Sequence, residues 1–459
     1  MIDDTIVAVA TAVGKSGVGI VRVSGKSAIH IVNKVFRSSS GKSLLDLRSN
    51  TINYGFVERE NKIIDEVLVS LFRGPKSYTG EDVVEINCHG GPIPIKLTME
   101  LLLTFDCRLA EPGEFTRRAF LNGRIDLSQA EGIMDIISAK TDLSLDAATK
   151  QVLGKLSSMI NELNESIISS LALIEATIDY PDEVFESIDV DTISNSLNDV
   201  INELNNLLLT AKTGKILRDG IKTTIVGKPN VGKSSLLNSL LEQQRAIVTD
   251  IPGTTRDILE EQISINGVPL VLVDTAGIRE TDDVVERIGV ERSKSAINES
   301  NLVLFVLDGS KEWEEYDQKI LELIKGKKVI ILINKLDLPQ MMDINIIANK
   351  TGVENIINVS IEKNINLEEL KNEIFSMYEI SDIEDQTMNT MITNLRHEKA
   401  IKDAVKNLME AIENIEAGMP LDIVAIDIKD AWENLGKVSG SSLNKNIVDE
   451  IFSRFCLGK

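Results

Sequence analysis

Apolar positions recur along this chain in three patterns, and the changes between them divide it. Over residues 1–118, short β-branched runs at 5–10, 19–23, 66–71 and 83–86 alternate with turns rich in Gly and Pro. Short apolar runs bounded by turn signals are the pattern of strands, so this stretch predicts an α+β module. From Leu127 to Ile178 proline is absent and the apolar spacing becomes helical, as at Ile133, Ile136 and Ile137 and again at Leu153, Leu156, Ile160 and Leu163. Long helices follow from that spacing. Pro181 closes the stretch, and Leu197, Ile201, Leu204 and Leu208 mark a further helix running into Lys215.

A third pattern opens near Ile221, where strand-like runs at 222–226, 268–273 and 329–333 alternate with helical stretches at 235–241 and 367–378. Alternating strands and helices predict an α/β domain. Residues 381–391 are acidic and polar and read as a linker, after which helical periodicity resumes at 392–415, 426–435 and 443–455. The expected divisions are therefore 1–118, 119–215, 216–379 and 380–459. They describe an α/β domain inserted between two helical halves that pack together, with short connections able to pass its movements into the helical body.

The chemistry is concentrated in the inserted domain. Gly227-Lys228-Pro229-Asn230-Val231-Gly232-Lys233-Ser234 has the form G-x-x-x-x-G-K-S and lies where a strand turns into a helix. Such a loop directs backbone N–H groups and a helix N-terminus at phosphates, with Lys233 reaching the β and γ groups and the Ser234 hydroxyl placed for Mg²⁺. Asp274-Thr275-Ala276-Gly277 ends the run 268–273, where a carboxylate can hold the Mg²⁺ shell and a Gly backbone can approach a γ-phosphate. Asn334-Lys335-Leu336-Asp337 follows the run 329–333 and reads the base. An Asp accepting from guanine's ring N–H and exocyclic amine finds no such donors on adenine, which discriminates by roughly 10⁴-fold. Gly253-Thr254-Thr255-Arg256-Asp257 supplies threonines for a switch-loop Mg²⁺ ligand and a γ-phosphate contact. Together these motifs predict a Ras-like P-loop GTPase. The last guanine loop is expected at Val359-Ser360-Ile361, which departs from the usual Ser-Ala-Lys or Ser-Ala-Arg.

Two departures bear on mechanism. Ile278, not Gln, follows Asp-Thr-Ala-Gly, and an aliphatic side chain cannot orient a water, so catalysis needs another group. Asn230, with the segment 246–255 folded over the phosphates, either forms an oxygen cage for a monovalent cation or simply braces the loop. A cation there would take the place of an arginine finger, worth about 10³ to 10⁵ in rate.

Composition narrows the class further. A chain of 459 residues is long enough for roughly two to four domains, each burying its own core. Cys88, Cys107 and Cys456 are odd in number and widely separated, which argues against a disulfide framework or a paired-ligand zinc site and for a reducing, cytoplasmic setting. His30, His89 and His397 are too few for a histidine metal site; His89 reads as a turn residue and Cys456 as structural or partner-facing. The start Met1-Ile2-Asp3-Asp4 carries acids instead of a basic region, and no apolar run of about 18 residues occurs, so neither a signal peptide nor a membrane span is expected. A net charge of −22 disfavours non-specific nucleic-acid binding and confines any RNA contact to a local surface.

The flanks make the pattern specific. Asp4-Thr5-Ile6-Val7-Ala8, Gly17-Val18-Gly19-Ile20-Val21-Arg22, Tyr78-Thr79-Gly80-Glu81-Asp82 and His89-Gly90-Gly91-Pro92 resemble the MnmE (TrmE) family of tRNA modification GTPases. So do Pro112-Gly113-Glu114-Phe115-Thr116-Arg117-Arg118-Ala119-Phe120 and the ending Phe455-Cys456-Leu457-Gly458-Lys459, and the resemblance covers the whole chain. It implies a potassium-stimulated GTPase that acts with MnmG (GidA) on the tRNA wobble uridine, as a homodimer formed by a tetrahydrofolate-binding-like amino-terminal domain. K⁺ would be held by the positions Asn230, Thr249, Ile251 and Thr254, and Mg²⁺ by Ser234 and Thr255. The water-orienting carboxylate would be Glu286, which pattern alone reads as a solvated acid. Arg22, Glu81, Arg124 and Lys459 match the folate contacts, the cations suited to folate carboxylates and Glu81 to the pterin amine of 5-formyl-tetrahydrofolate or a related folate. Some relatives carry Lys at the position of Arg124, which keeps the charge but changes contact geometry.

Motifs and resemblance together expect GTP to touch Asn230, Val231, Gly232, Lys233, Ser234, Ser235, Thr249, Asp250, Ile251, Pro252, Gly253, Thr254, Thr255, Asp274, Thr275, Ala276, Gly277, Asn334, Lys335 and Asp337. The rival reading is a ribosome-assembly GTPase acting as a nucleotide-dependent switch. Such proteins append a basic RNA-binding domain, whereas no G-x-x-G loop with basic neighbours follows the GTPase motifs here.

Overall fold

A computed structural model describes residues 4–12, 14–179, 190–242, 261–273, 295–378, 390–456 and 458–459 of the protein. The amino-terminal strands are β1 (Ile6–Val9), β2 (Val18–Ser24), β3 (Phe36–Ser38), β4 (Thr51–Arg59), β5 (Lys62–Phe72), β6 (Val83–His89) and β7 (Arg108–Leu109). They form one sheet in the order β3-β4-β5-β6-β2-β1-β7, antiparallel except for the β1–β7 pair. Alternation decides its faces: Val67, Val69 and Leu71 of β5 point inward with Val21, Val23, Val84 and Ile86. Helices α1 (Ala28–Val35) and α2 (Pro92–Leu102) close over that face through Ile29, Val32, Leu101 and Leu102. The strand β4 lacks a clear apolar run; it exists because a turn with Glu60 and Asn61 at φ 52° and 64° folds it back on β5.

The first helical half comprises α3 (Glu114–Leu121), α4 (Leu127–Ser138), α5 (Asp142–Val152), α6 (Lys155–Asp179), α7 (Val190–Leu209) and α8 (Ala211–Asp219). The continuous periodicity of the sequence is cut by caps: Thr141 accepts Ser144 N–H at 3.2 Å to start α5, and Asp126 forms a capping box with Gln129 on α4. The single helix expected to run into Lys215 is two helices. The Thr210 hydroxyl at the break donates to Leu207 O and accepts from Ile392 N–H, 2.7 and 3.1 Å away.

Next comes the α/β domain, with β8 (Ile221–Val226), α9 (Lys233–Glu242), β9 (Glu261–Ile265), β10 (Val268–Leu272), β11 (Leu302–Asp308), α10 (Glu315–Leu323), β12 (Lys328–Asn334), α11 (Ile344–Thr351), β13 (Ile356–Asn358) and α12 (Leu367–Met377). Among the described residues its sheet has the order β13-β12-β11-β8-β10-β9. Every pairing is parallel except the β9–β10 hairpin, which turns at Asn266-Gly267. Strand β11 is buried along its whole length, as expected of a parallel strand covered on both faces. In such sheets ligands bind beyond the carboxyl ends of the strands.

The chain finishes with α13 (Leu395–Glu416), α14 (Leu421–Ser439) and α15 (Lys445–Ser453). Ile160, Ile167 and Ile174 of α6 and Leu197 and Leu204 of α7 share one core with Ile401 and Leu408 of α13 and Val424, Ile428 and Leu435 of α14. Helix α8 belongs to both bodies, because Ala211 packs into this helical core while Ile216 and Leu217 pack into the α/β core. Ser144 Oγ donates to Leu217 O at 2.6 Å and Arg218 Nε to Asp135 Oδ1 at 2.9 Å, which joins α8 to α5 and α4. The expected divisions at 118 and 215 fall inside α3 and α8. Among the described residues no helix is long and apolar enough to cross a membrane.

Candidate functional site

The phosphate-loop motif connects β8 to α9, so its backbone is delivered to a helix N-terminus, where unpaired N–H groups and the helix dipole favour anions. A side chain at Gly232, whose φ is 107°, would place a Cβ 2.4 Å from Asn334 Nδ2, so only glycine fits. Lys233 Nζ donates to Gly227 O at 2.8 Å and Lys228 O at 2.7 Å and thus spans the loop; burial lowers its pKa. Asn230 is exposed with φ 63°, and Val231 is buried beneath the loop. Ser234 and Ser235 lie in the first turn of α9.

The base-reading motif leaves the end of β12 nearby. Asn334 is buried; its Nδ2 donates to Val231 O at 2.8 Å and its Oδ1 accepts Ile361 N–H at 3.1 Å. One side chain therefore clips the phosphate loop to the loop at Val359-Ser360-Ile361. Lys335, at φ 70°, donates to Asp308 Oδ2 at 2.7 Å. Burial pushes the Asp308 pKa up, but hydrogen bonds from Lys335 and Ser310 hold it below the usual carboxylate range. Asp337 is exposed, and the buried Ser360 hydroxyl donates to its Oδ1 at 2.5 Å, which lowers its pKa and orients the carboxylate. The departure from Ser-Ala-Lys thus leaves the serine and the backbone N–H of this loop in contact with Asp337 and Asn334. Thr249, Asp250, Ile251, Pro252, Gly253, Thr254, Thr255, Asp274, Thr275, Ala276, Gly277 and Glu286 lie outside the described residues. Strand β10 runs parallel beside β8, so its carboxyl end at Leu272 lies at the sheet edge that carries the phosphate loop.

A second polar cluster forms on the amino-terminal sheet. Arg22 on β2 donates through Nε to Glu85 Oε1 at 2.8 Å and through Nη1 to Gly458 O at 3.2 Å. Its guanidinium lies 5.1 Å from the Tyr78 ring centroid and 5.6 Å from that of Phe115. Arg124 sits 5.2 Å from the same Tyr78 ring and donates to Tyr78 O at 2.6 Å. The chain's end joins them: Phe115 N–H donates to Lys459 O at 3.2 Å and Gly113 N–H to Cys456 O at 3.3 Å. At Gly458, φ 87°, a Cβ would stand 2.2 Å from Val9 O, which is how closely the tail lies on β1. Glu81 accepts from Ser24 Oγ at 2.8 Å and from Arg118 Nη1 at 3.1 and 3.3 Å.

Arg22, Glu81, Arg124 and Lys459 are thus brought together, along with residues the sequence did not single out. Arg118 is fully buried and also pairs with Asp4 Oδ1 at 2.7 Å and Glu114 Oε1 at 2.9 Å, while Arg108 reaches both acids at 2.6 Å. The signal for Arg118 was weak, since one of two adjacent arginines in an amphipathic helix reads as a surface charge. Expected as a turn residue, His89 in fact closes β6, with Nδ1 2.6 Å from Asp65 Oδ1. Cys88, Cys107 and Cys456 are all free, and burial pushes the Cys88 thiol up to about 11. Among the described residues no group of three His, Cys, Asp or Glu side chains could hold a metal ion.

A parallel sheet with a phosphate loop at one strand end and an Asn-Lys-x-Asp loop at another defines a P-loop GTPase, here carried on a helical body. Residues 127–456 match the family description "MnmE helical domain", and residues 5–124 match "GTP-binding protein TrmE N-terminus". The chain is 47% identical over 460 residues to the tRNA modification GTPase MnmE of Alkaliphilus metalliredigens (strain QYMF), with both chains covered completely. It is 48% identical over 458 residues to that of Clostridioides difficile (strain 630) and 49% over 462 residues to that of Desulforamulus reducens, again over 100% of each chain. The chain belongs to the MnmE family of tRNA modification GTPases. Among solved structures it is similar to Era in complex with MgGDPNP and a segment of 16S ribosomal RNA, at 35% identity over 34% of this chain and 55% of that one, with a TM-score of 0.27.

Proposed function

We propose that this chain is a potassium-stimulated GTPase that hydrolyses GTP to GDP and phosphate. With MnmG (GidA), and in the cytoplasm, it drives aminomethyl-type modification at C5 of the tRNA wobble uridine, using a tetrahydrofolate such as 5-formyl-tetrahydrofolate as one-carbon donor. The observation that carries the nucleotide reading is the Asn334 clip, which holds the phosphate loop and the base-reading loop in one hydrogen-bonded frame. In this reading Asp337 Oδ2 and Oδ1 accept from guanine, and Lys233, cradled by the carbonyls of Gly227 and Lys228, reaches β- and γ-phosphate oxygens. The remaining nucleotide contacts fall to the residues of 230–235, 249–255 and 274–277, and Glu286 orients the attacking water.

Ser234 and Thr255 are the proposed Mg²⁺ ligands; Asn230, Thr249, Ile251 and Thr254 are those for K⁺. Hydroxyl, carboxamide and carbonyl oxygens are the hard donors such ions take, and Asn230 already stands exposed in the loop with a left-handed backbone. The bound cations would neutralise charge developing on the phosphates. Arg22, Arg124 and Lys459 would pair with folate carboxylates and Glu81 would accept from the pterin amine, supported by the convergence of Arg22 and Arg124 on Tyr78 and by the seating of the chain's last residues against Arg22. Homodimerisation through the amino-terminal module is supported by the uncovered apolar face of β4 and β5, where Ile52, Tyr54 and Leu68 are 69%, 48% and 46% exposed. Hydrolysis measured across the alkali cations tests the reading: turnover fast in K⁺ and slow in Na⁺ is expected, and equal rates would remove the cation from the site.

A further inference from the structure

We propose that Lys228 is a positioning residue for nucleotide binding, acting through an ion pair that braces the phosphate loop against the start of α10. Lys228 is the second residue of the loop, and its side chain turns away from the hollow that Lys233 spans. Its Nζ lies 2.5 Å from Asp317 Oδ2 and 3.0 Å from Glu314 Oε2. Asp317 is buried at 1% exposure, and its Oδ2 also accepts Glu314 N–H at 3.0 Å. That acid is therefore fixed by its own helix start, and the lysine comes to it. A buried carboxylate needs a charged partner, so the contact differs in kind from a solvated surface pair.

The geometry gives residue 228 two opposed connections. Its side chain is tied outward to α10, while its carbonyl points inward and accepts from Lys233 Nζ at 2.7 Å. The outward tie thus sets where the carbonyls that cradle Lys233 stand. The same stretch of chain is fastened at its other end to the base-reading loop. Lys335 Nζ holds Asp308 Oδ2 at 2.7 Å, and Gly309 N–H donates to Asn334 O at 2.8 Å. Residues 308–317 therefore link the loop for the phosphates to the loop for the base, with a lysine and an acid at each end. A loop held in its binding shape before the ligand arrives loses less freedom on binding, which appears as affinity.

The test measures GDP and GTP binding to the full chain by calorimetry, with inosine diphosphate as a probe of the base loop. Lys228→Met is expected to weaken GDP and GTP by the same factor, about tenfold, as the loss of one charge-assisted tie. The ratio of GDP to inosine diphosphate affinity stays constant, KM for GTP rises at nearly unchanged kcat, and Lys228→Arg restores binding. Asp317→Asn keeps an acceptor for Glu314 N–H and produces part of the same loss, which serves if Lys228→Met does not fold. The two changes together cost no more than Lys228→Met alone. GDP affinity unchanged in a folded Lys228→Met or Asp317→Asn protein, whether or not its Tm falls, would overturn the proposal, as would losses that add or a shifted base preference.

Discussion

The nucleotide loops and the Arg22 cluster are both polar sites at the edge of a sheet, yet they are put together over different lengths of chain. Each nucleotide loop is a short contiguous motif that leaves the end of its own strand, and parallel pairing of β8, β11 and β12 brings the motifs to one edge. The Arg22 cluster has no such local unit. It needs β2, the segment at Tyr78–Glu81, the residues at 118 and 124, and the last residues of the chain, which lie 436 positions from Arg22. The first site is organised by backbone, and side chains such as Asn334 only lock it. In the second, a buried ionic network does the organising, so it depends on groups that never face a ligand.

Four perturbations break or sharpen this contrast. Asp337→Asn should have the largest effect, exchanging guanine for xanthine preference by roughly 10⁴-fold and leaving the amino-terminal module untouched. Comparing GTP with xanthosine triphosphate in hydrolysis assays checks it, and retained GTP preference would refute the base-reading role. Arg118→Met should destabilise the amino-terminal module by about 3 to 5 kcal/mol, because it leaves Glu114 buried with one guanidinium fewer and frees Glu81. Thermal unfolding would show an early transition, with GDP binding unchanged. Removal of Lys459 should weaken 5-formyl-tetrahydrofolate binding about tenfold, as for one lost charge-assisted contact, without changing GTP hydrolysis. Fluorescence titration of folate reads this directly; unaltered affinity would take the tail out of the site.

The smallest effect concerns the helical body that both regions share. His397 is fully buried with Nε2 2.8 Å from Glu131 Oε2, and Arg396 Nη2 reaches the same oxygen at 2.8 Å. Burial lowers the His397 pKa below its ordinary 6.5 and outweighs Glu131, so the folded ring stays neutral while the unfolded one takes up a proton. Stability is therefore full above pH 6.5 and falls as pH drops below it, by up to about 1.4 kcal/mol per unit. Burial would raise the Glu131 carboxyl, yet hydrogen bonds from His397 and Arg396 and the Arg396 charge hold it below its ordinary 4.5, so a second loss begins there as pH falls. Denaturant unfolding at pH 7 and pH 5.5 should show a smaller difference in His397→Gln than in the natural chain; equal differences would mean that the ring takes up protons alike in the folded and unfolded states.

Reading the sequence went furthest where function is local. The phosphate loop, the Asn-Lys-x-Asp loop and the strands β8, β10 and β12 are specified by a few adjacent residues whose backbone needs or spacing are visible without the fold. Strand β4 was not visible, because Thr51–Arg59 takes its structure from pairing with β5 and carries Asn53, Tyr54 and Gly55 where an apolar run would announce it. Nor was the break at Thr210 between α7 and α8, where a hydroxyl meets a backbone N–H contributed from Ile392.

By itself, then, the sequence determined the alternation of strands and helices that marks the α/β domain, the motifs of its loops and the family to which the chain belongs, because each rests on neighbours in the chain. Tertiary structure alone decided that Arg118 organises Glu81, that Lys228 meets Asp317, that helix α8 lies in two cores and that the carboxyl-terminal tail sits on Arg22. Ion pairs between residues far apart have no periodicity, and a charge is worth burying only once folding has removed water from both partners.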